Sequence, residues 1–177
     1  LADNPIPRIL QIAKFMMEEK LDEGTEHFQP SSLQITSIDV GNKATNVIPA
    51  QAHLTFNIRF NDMHTGKSLM ELVNRHCEEA CEKFDLKFHL SGEAFLTPPG
   101  KLSNLITAAV EKITGKKPTL STSGGTSDAR FIKDFCDVAE FGLISKTMHK
   151  LDEHAMIDDI RYLTKIYKSI LDEYFLS

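Results

Sequence analysis

The chain has 177 residues, 41% apolar and 25% charged, with a formal net charge of −5 and no basic block. Such a composition supports one ordinary core or two small ones, excludes a nucleic-acid footprint and argues against an anionic membrane surface, which leaves small molecules and other proteins as partners. No apolar run approaches the roughly 20 residues a membrane-spanning helix needs, and three cysteines without a charged-then-apolar leader pattern fit a reducing, cytoplasmic setting.

Asn4-Pro5 reads as a helix cap followed by proline at the first helical position, and Ile6, Ile9, Leu10, Ala13, Met17 and Leu21 recur at helical spacing until Gly24. Met16 and Met17 are expected to pack in the core. After Gln29-Pro30, alternation holds at Leu33 and Ile35 and then shifts phase to Ile38 and Val40, which predicts a strand with a bulge near Thr36-Ser37. Gly41 to Pro49 reads as a loop. His53 to Phe60 alternates cleanly, with Leu54, Phe56, Ile58 and Phe60 on one face and Thr55, Asn57 and Arg59 on the other. Ser68 with Glu71 reads as a capping box for a helix through Leu69, Leu72, Val73, Cys77, Ala80 and Phe84, followed by a short strand at Leu86, Phe88 and Leu90. Helix, strand, strand, helix, strand is most of a ferredoxin-like split βαβ unit without its first strand. The chain opens on Leu1 rather than Met, at a helix-capping sequence, so part of a longer polypeptide is expected.

Ser91-Gly92 and Thr97 to Gly100 bracket a change of pattern, beyond which helix, strand, helix, strand, helix is predicted, a piece of an α/β layer. A helix from Leu102 to Ile113 ends at Gly115, a strand near Thr119 to Ser121 runs into a Gly-Gly turn, a second apolar strand covers Val138 to Ile144, and a last helix carries Ile157, Ile160, Leu163, Tyr167, Ile170, Leu171 and Tyr174. Two strands are too few for an independent open sheet. They are expected to need partner strands from outside the chain.

Two segments concentrate the chemistry. In Ser121 to Phe131, Gly124 and Gly125 let the backbone approach a ligand, while Thr126, Ser127 and Asp128 cap a helix whose free N–H groups favour a substrate carboxylate. In Met148 to His154, His149 lies just past an apolar run, at the end of a predicted strand, where a neutral imidazole is placed to bind zinc. Each has a plainer reading, an ordinary strand-to-helix turn and a surface histidine, because the spacings around His149 match no zinc motif of a helix or finger. Cys77 and Cys81, one helical turn apart, read as packing rather than half a metal site, and Cys136 as a small buried residue. Gly66-Lys67-Ser68 is not the tail of a phosphate loop, since Asn61 stands where glycine is needed. No Gly-x-Ser-x-Gly elbow surrounds Ser127, which removes support for a serine hydrolase built on Ser127 and His149.

Taken in this order, Ser123 to Ile132, His149 to Glu153, Asn46 to Pro49 and Phe56 to Phe60 resemble the C-terminal part of the dizinc aminoacylase and carboxypeptidase-type hydrolases. The likeness is greatest to the branch that removes succinate from N-succinyl-LL-2,6-diaminopimelate, on the way to lysine and diaminopimelate. Leu1 to Pro5 resembles the segment that follows a substrate-contacting His of that family's lid. The resemblance implies an α/β protein with an α+β lid: a ferredoxin-like lid and dimerisation domain at 1–91, then the C-terminal portion of an α/β zinc-hydrolase catalytic domain at 92–177. It also implies two zinc ions, or cobalt, per complete active site, with His149 at one ligand position. The other ligands and the general-base Glu then lie outside this chain, so no catalytic residue is expected in it and the isolated chain is expected to be inactive.

Gly125 and Thr126 match a turn that holds the substrate's diaminopimelate end or its carboxylate, and Arg59 matches a lid arginine that meets a substrate carboxylate. Asn46 matches a lid asparagine that reaches a neighbouring subunit's active site, which requires a homodimer through the lid. Asp152 stands where the family often shows Asn, and Glu153 is read as a structural carboxylate. Another N-acyl-amino-acid amidohydrolase or dipeptidase of the family, or a catalytically silent ferredoxin-like dimerisation module, stays open as a reading.

Overall fold

Asn4 starts the first helix as its sequence dictates: its Oδ1 accepts the Ile6 N–H at 3.1 Å, and Pro5 supplies a preset φ where no amide donor is needed. A computed structural model of the chain describes residues 3–123, 128–144 and 146–176, in two units, Leu1–Phe95 and Leu96–Ser177. In the first unit α1 (Pro5–Glu18) buries Ile9, Ala13 and Met16. It stops short of the expected Gly24 because Glu18 and Glu19 place negative charge at the negative end of the helix dipole. Of the two adjacent methionines only Met16 is in the core; Met17 is 71% exposed, a correction that follows from the 100° step between neighbouring helical residues.

The strands β1 (Ser32–Asp39) and β2 (His53–Arg59) pair antiparallel, from Ser32 opposite Arg59 to Asp39 opposite His53. The register slips between Ile35 and Ser37, leaving Thr36 without a partner, so the predicted bulge is present and accounts for the phase shift of the apolar residues. The sheet face of Leu33, Ile35, Leu54, Phe56 and Ile58 packs with Met16, Val73 and Cys77 from α1 and from α2 (Gly66–Ala80). The capping box of α2 is Thr65 with Ser68, not Ser68 with Glu71: Thr65 Oγ1 accepts the Ser68 N–H at 3.1 Å and Ser68 Oγ accepts the Thr65 N–H at 3.0 Å. A serine hydroxyl at the third helical position thus does the work usually given to glutamate, and the earlier start gives a full turn ahead of the fully buried Leu69 and Val73.

Leu86 to Leu90 does not form the expected strand. In a β-α-β-β-α-β unit the last strand pairs with the one before the first helix, and no strand precedes α1 among the described residues. The segment is held by side chains instead. Leu86 packs on the core, the Leu90 methyls lie where a Cβ on Gly66 would sit (2.8 and 2.9 Å), and both Glu93 carboxylate oxygens accept the Gly66 N–H at 3.1 Å. This first unit is α+β and ferredoxin-like.

The second unit contains α3 (Lys101–Thr114), a single turn α4 (Ala129–Ile132) and α5 (Ile157–Leu176). Gly115 ends α3 with φ 69°, the left-handed cap that glycine tolerates. Ala109 and Val110 of α3 meet Ile166 and Ile170 of α5, with Ile106, Ile113 and Phe141 around them. The strands expected at Thr119 to Ser121 and Val138 to Ile144 are absent from the described residues, since an isolated strand has no ladder partner to take its N–H and C=O groups. Phe141 is held to α5 by its carbonyl, which accepts the Tyr167 hydroxyl at 2.6 Å. Cys136 is exposed rather than buried, because the segment around it has no sheet to lie on. No helix among the described residues is long and apolar enough to cross a membrane.

Candidate functional site

Arg59 is the last residue of β2, and strict alternation places its side chain on the exposed side, away from the helices. Its guanidinium has no hydrogen-bond or ion-pair partner among the described residues. Directly across the ladder is Ser32, the first residue of β1. Asn46 lies in the loop at the other end of the same two strands, also exposed. That loop is braced by Asn42, whose Nδ2 donates to the Val47 carbonyl at 2.6 Å and whose Oδ1 accepts the Ala44 N–H at 3.1 Å. The length of β2 therefore separates Asn46 from Arg59. At ~3.3 Å per residue the strand spans roughly 20 Å, so one copy of the unit does not bring the two side chains to a common ligand.

Beyond Arg59 the chain enters a buried polar cluster that pattern reading did not anticipate. The Asp22 side chain is 1% exposed and Asn61 is 2% exposed. Asp22 Oδ1 accepts from the Gly24 N–H at 2.7 Å, from Asn61 Nδ2 at 2.7 Å and from the Ser31 N–H at 3.2 Å. Its Oδ2 accepts the same Ser31 N–H at 3.2 Å and lies 3.2 Å from His64 Nε2. His64 Nε2 is also 3.2 Å from the Leu21 carbonyl. Both neighbours are acceptors, so this ring nitrogen carries the proton. Burial by itself raises the Asp22 carboxyl, but hydrogen bonds from the Ser31 hydroxyl, the Gly24 amide, the Asn61 amide group and the Ser31 amide outweigh it and hold the group down at about 2. Asn61 completes the cluster: its Nδ2 also donates to the Gln29 carbonyl at 3.1 Å, its Oδ1 accepts the Met63 N–H at 2.9 Å, and its own N–H donates to Ser31 Oγ at 3.0 Å. Asp22 and Asn61 are 39 residues apart in loops that read simply as turns, so only their burial and pairing reveal them.

In the second unit His149 is exposed, at φ 62°, in a turn closed by Thr147, whose hydroxyl donates to the His154 carbonyl at 2.8 Å and accepts the His154 N–H at 3.1 Å. Asp152 shares the left-handed conformation (φ 59°), and His154 Nδ1 donates to the Asp152 carbonyl at 2.7 Å. The turn presents His149 outward without gathering other donors to it. No group of three or more His, Cys, Asp or Glu side chains able to hold a metal exists among the described residues. The residues present therefore offer one imidazole and do not fit a complete zinc centre. Cys77 offers less still, since burial first, then Cys81 and Glu78, raises its thiol pKa and opposes the thiolate a metal needs. Gly125 and Thr126 lie outside the described residues. Just after them Asp128, expected to help cap a helix, makes no side-chain cap, and α4 is one turn long.

The first unit sets two helices on one face of an antiparallel pair, in the order helix, strand, strand, helix, and residues 1–85 match the peptidase dimerisation domain. The similarity to curated proteins runs the length of the chain. It is 55% identical over 179 residues to the succinyl-diaminopimelate desuccinylase of Rhodospirillum rubrum, covering 99% of this chain and 46% of that protein. Enzymes of the same name from Rhodospirillum centenum and Ehrlichia canis are 54% and 51% identical, each over 99% of this chain and over 45% and 46% of their own lengths. Along nearly its whole length the chain is thus similar to succinyl-diaminopimelate desuccinylases. It spans just under half the length of these relatives.

Proposed function

We propose that the chain supplies the lid, residues 1–91, and the C-terminal portion of the catalytic domain, residues 92–177, of a cytoplasmic, metal-dependent amidohydrolase. The reaction is hydrolysis of N-succinyl-LL-2,6-diaminopimelate to succinate and LL-2,6-diaminopimelate, a step of lysine and diaminopimelate synthesis. The observation that carries this reading is identity of 50% or more to desuccinylases along nearly the whole chain. When bound, two zinc ions, or cobalt in their place, supply carbonyl polarisation and an activated water. His149 is the one metal ligand assigned to this chain, and the general base and remaining ligands are assigned to polypeptide outside it.

What these residues do themselves is bind and orient. Arg59, exposed and without a partner among the described residues, presents a planar fork suited to a substrate carboxylate. Gly125 and Thr126 hold the same ligand through backbone and hydroxyl donors. Asn46, a strand length away from Arg59, serves the active site of a second copy across a homodimer of lids. By itself the 177-residue chain is expected to be inactive.

The test is a pair of substitutions in the full-length hydrolase containing this chain. His149→Ala is expected to lower kcat by at least about a hundredfold with loss of bound metal. Thr126→Ala is expected mainly to raise KM with the metal content unchanged. Full metal occupancy and near-normal kcat in His149→Ala would remove His149 from the metal site and leave the metallohydrolase assignment of this segment unsupported, with a dimerisation or binding module as the better reading of the chain.

A further inference from the structure

We infer that the buried Asp22–Ser31–Asn61 clamp is a positioning element for Arg59, fixing the strand end from which the guanidinium reaches the substrate carboxylate; this rests on the reading of Arg59 given above. Arg59 and Ser32 form the terminal pair of a two-stranded sheet. Terminal ladder pairs fray, and a long side chain carried on a fraying end does not hold one direction. Here the residue before Ser32 and the second residue after Arg59 are tied together. Ser31 Oγ accepts the Asn61 N–H at 3.0 Å, continuing the ladder past its last backbone pair with a side-chain bond. Ser31 also reaches Asp22 through its backbone, whose N–H donates to both carboxylate oxygens at 3.2 Å. The carboxylate then binds Asn61 Nδ2 at 2.7 Å and the Gly24 N–H at 2.7 Å, so both chain segments leaving the sheet converge on one buried anion.

The direction of every bond in the clamp is determined, which suits a positioning role. Asn61 uses Nδ2 on Asp22 and on the Gln29 carbonyl, and Oδ1 on the Met63 N–H, so its amide has one orientation. His64 Nε2–H closes the other side on Asp22 Oδ2 and the Leu21 carbonyl. No buried side-chain donor or acceptor among the described residues is left without a partner. A surface turn needs none of this. Burying a carboxylate costs free energy, and it is better explained where the chain must leave the sheet along one path. A guanidinium that no longer holds one direction gives up part of its contact with the substrate carboxylate and must be ordered again on binding, so a relaxed clamp would register at Arg59 as a raised KM.

A residue that only holds the fold together would lower the amount of active enzyme equally whether or not Arg59 is present, and a double-mutant cycle separates the two cases. In the full-length hydrolase containing this chain, Arg59→Ala is expected to raise KM by about ten- to a hundredfold, the range for a lost charge-assisted contact. Asp22→Asn is expected to raise KM about five- to tenfold with kcat per folded site changed by less than about threefold. In the Arg59→Ala background Asp22→Asn should change KM by less than about twofold, because the group it positions is gone. Ser31→Ala removes the Oγ acceptor of the Asn61 N–H and leaves the backbone and amide donors of the carboxylate in place, so it repeats the cycle if Asp22→Asn does not fold. Equal effects in both backgrounds, or an unchanged KM for the clamp variants beside a raised KM for Arg59→Ala, would overturn the inference alone. An unchanged KM in Arg59→Ala would overturn the assignment of Arg59 and the inference with it.

Discussion

Asp22 makes the stability of the first unit depend on pH in a way that can be worked out from its surroundings. Its carboxyl is held at about 2, against an ordinary value of 3.8, by buried donors that would lose an ionised acceptor if it were protonated. A depressed carboxylate contributes stability that is fully present above the unfolded value and is lost as pH falls through the folded one. The gap is worth about 2 kcal/mol at 1.36 kcal/mol per pH unit, and most of it should disappear between about pH 4.5 and pH 2. Asp22→Asn keeps an acceptor for Gly24 but turns an NH2 group toward the Ser31 N–H and His64 Nε2–H. At neutral pH it should cost about 2 to 4 kcal/mol. As the pH is lowered the difference between wild type and variant should shrink by about 2 kcal/mol, since the wild type alone loses the carboxylate. All three tyrosines lie in α5 and the chain has no tryptophan, so intrinsic fluorescence reports the second unit. Urea unfolding of the first unit is better followed by exposure of the core thiol Cys77 to a pyridyl disulfide, which reacts in acid. A difference that stays constant to within about 0.5 kcal/mol over this range would refute the account of Asp22 as a buried, hydrogen-bonded anion.

Two glycines with similar positive φ separate conformational cost from steric cost. Gly115 (φ 69°) has open space where a Cβ would sit, so Gly115→Ala should lose about 1 kcal/mol in thermal or urea unfolding. At Gly24 (φ 83°) a Cβ would lie 2.7 Å from the Phe28 carbonyl oxygen and 2.9 Å from the Pro30 nitrogen, backbone atoms that cannot step aside, and Gly24→Ala should cost clearly more, about 2 to 4 kcal/mol. The strand length between Asn46 and Arg59 predicts complementation in the full-length hydrolase. Asn46→Ala and Arg59→Ala homodimers should each be weak. Mixing them with subunit exchange should restore about a quarter of wild-type activity, because a mixed dimer has one site with both residues intact. No recovery after proven exchange would place the two residues in the same site or outside it.

What the sequence determined by itself is whatever local periodicity and capping chemistry decide. Pro5 after Asn4 began α1, the clean alternation of His53 to Phe60 marked β2 and put Arg59 on its polar face, and the phase slip after Ile35 located the bulge. The likeness of residues such as Asn46 to Pro49 and His149 to Glu153 to a hydrolase family was also legible, since motifs are local. The tertiary structure decided what depends on a partner elsewhere. Leu86 to Leu90, Thr119 to Ser121 and Val138 to Ile144 have strand-like composition but no neighbouring strand among the described residues to take their backbone hydrogen bonds, so they are held by side chains or remain irregular. Asp22 and Asn61 read as loop residues because a turn-forming Asp or Asn looks the same in sequence whether it faces water or another buried polar group. Their pairing across 39 residues exists only because β1 and β2 in register bring Ser31 beside Asn61. A ladder is a property of two strands and a buried anion a property of everything that surrounds it, and neither is encoded in a single window of residues.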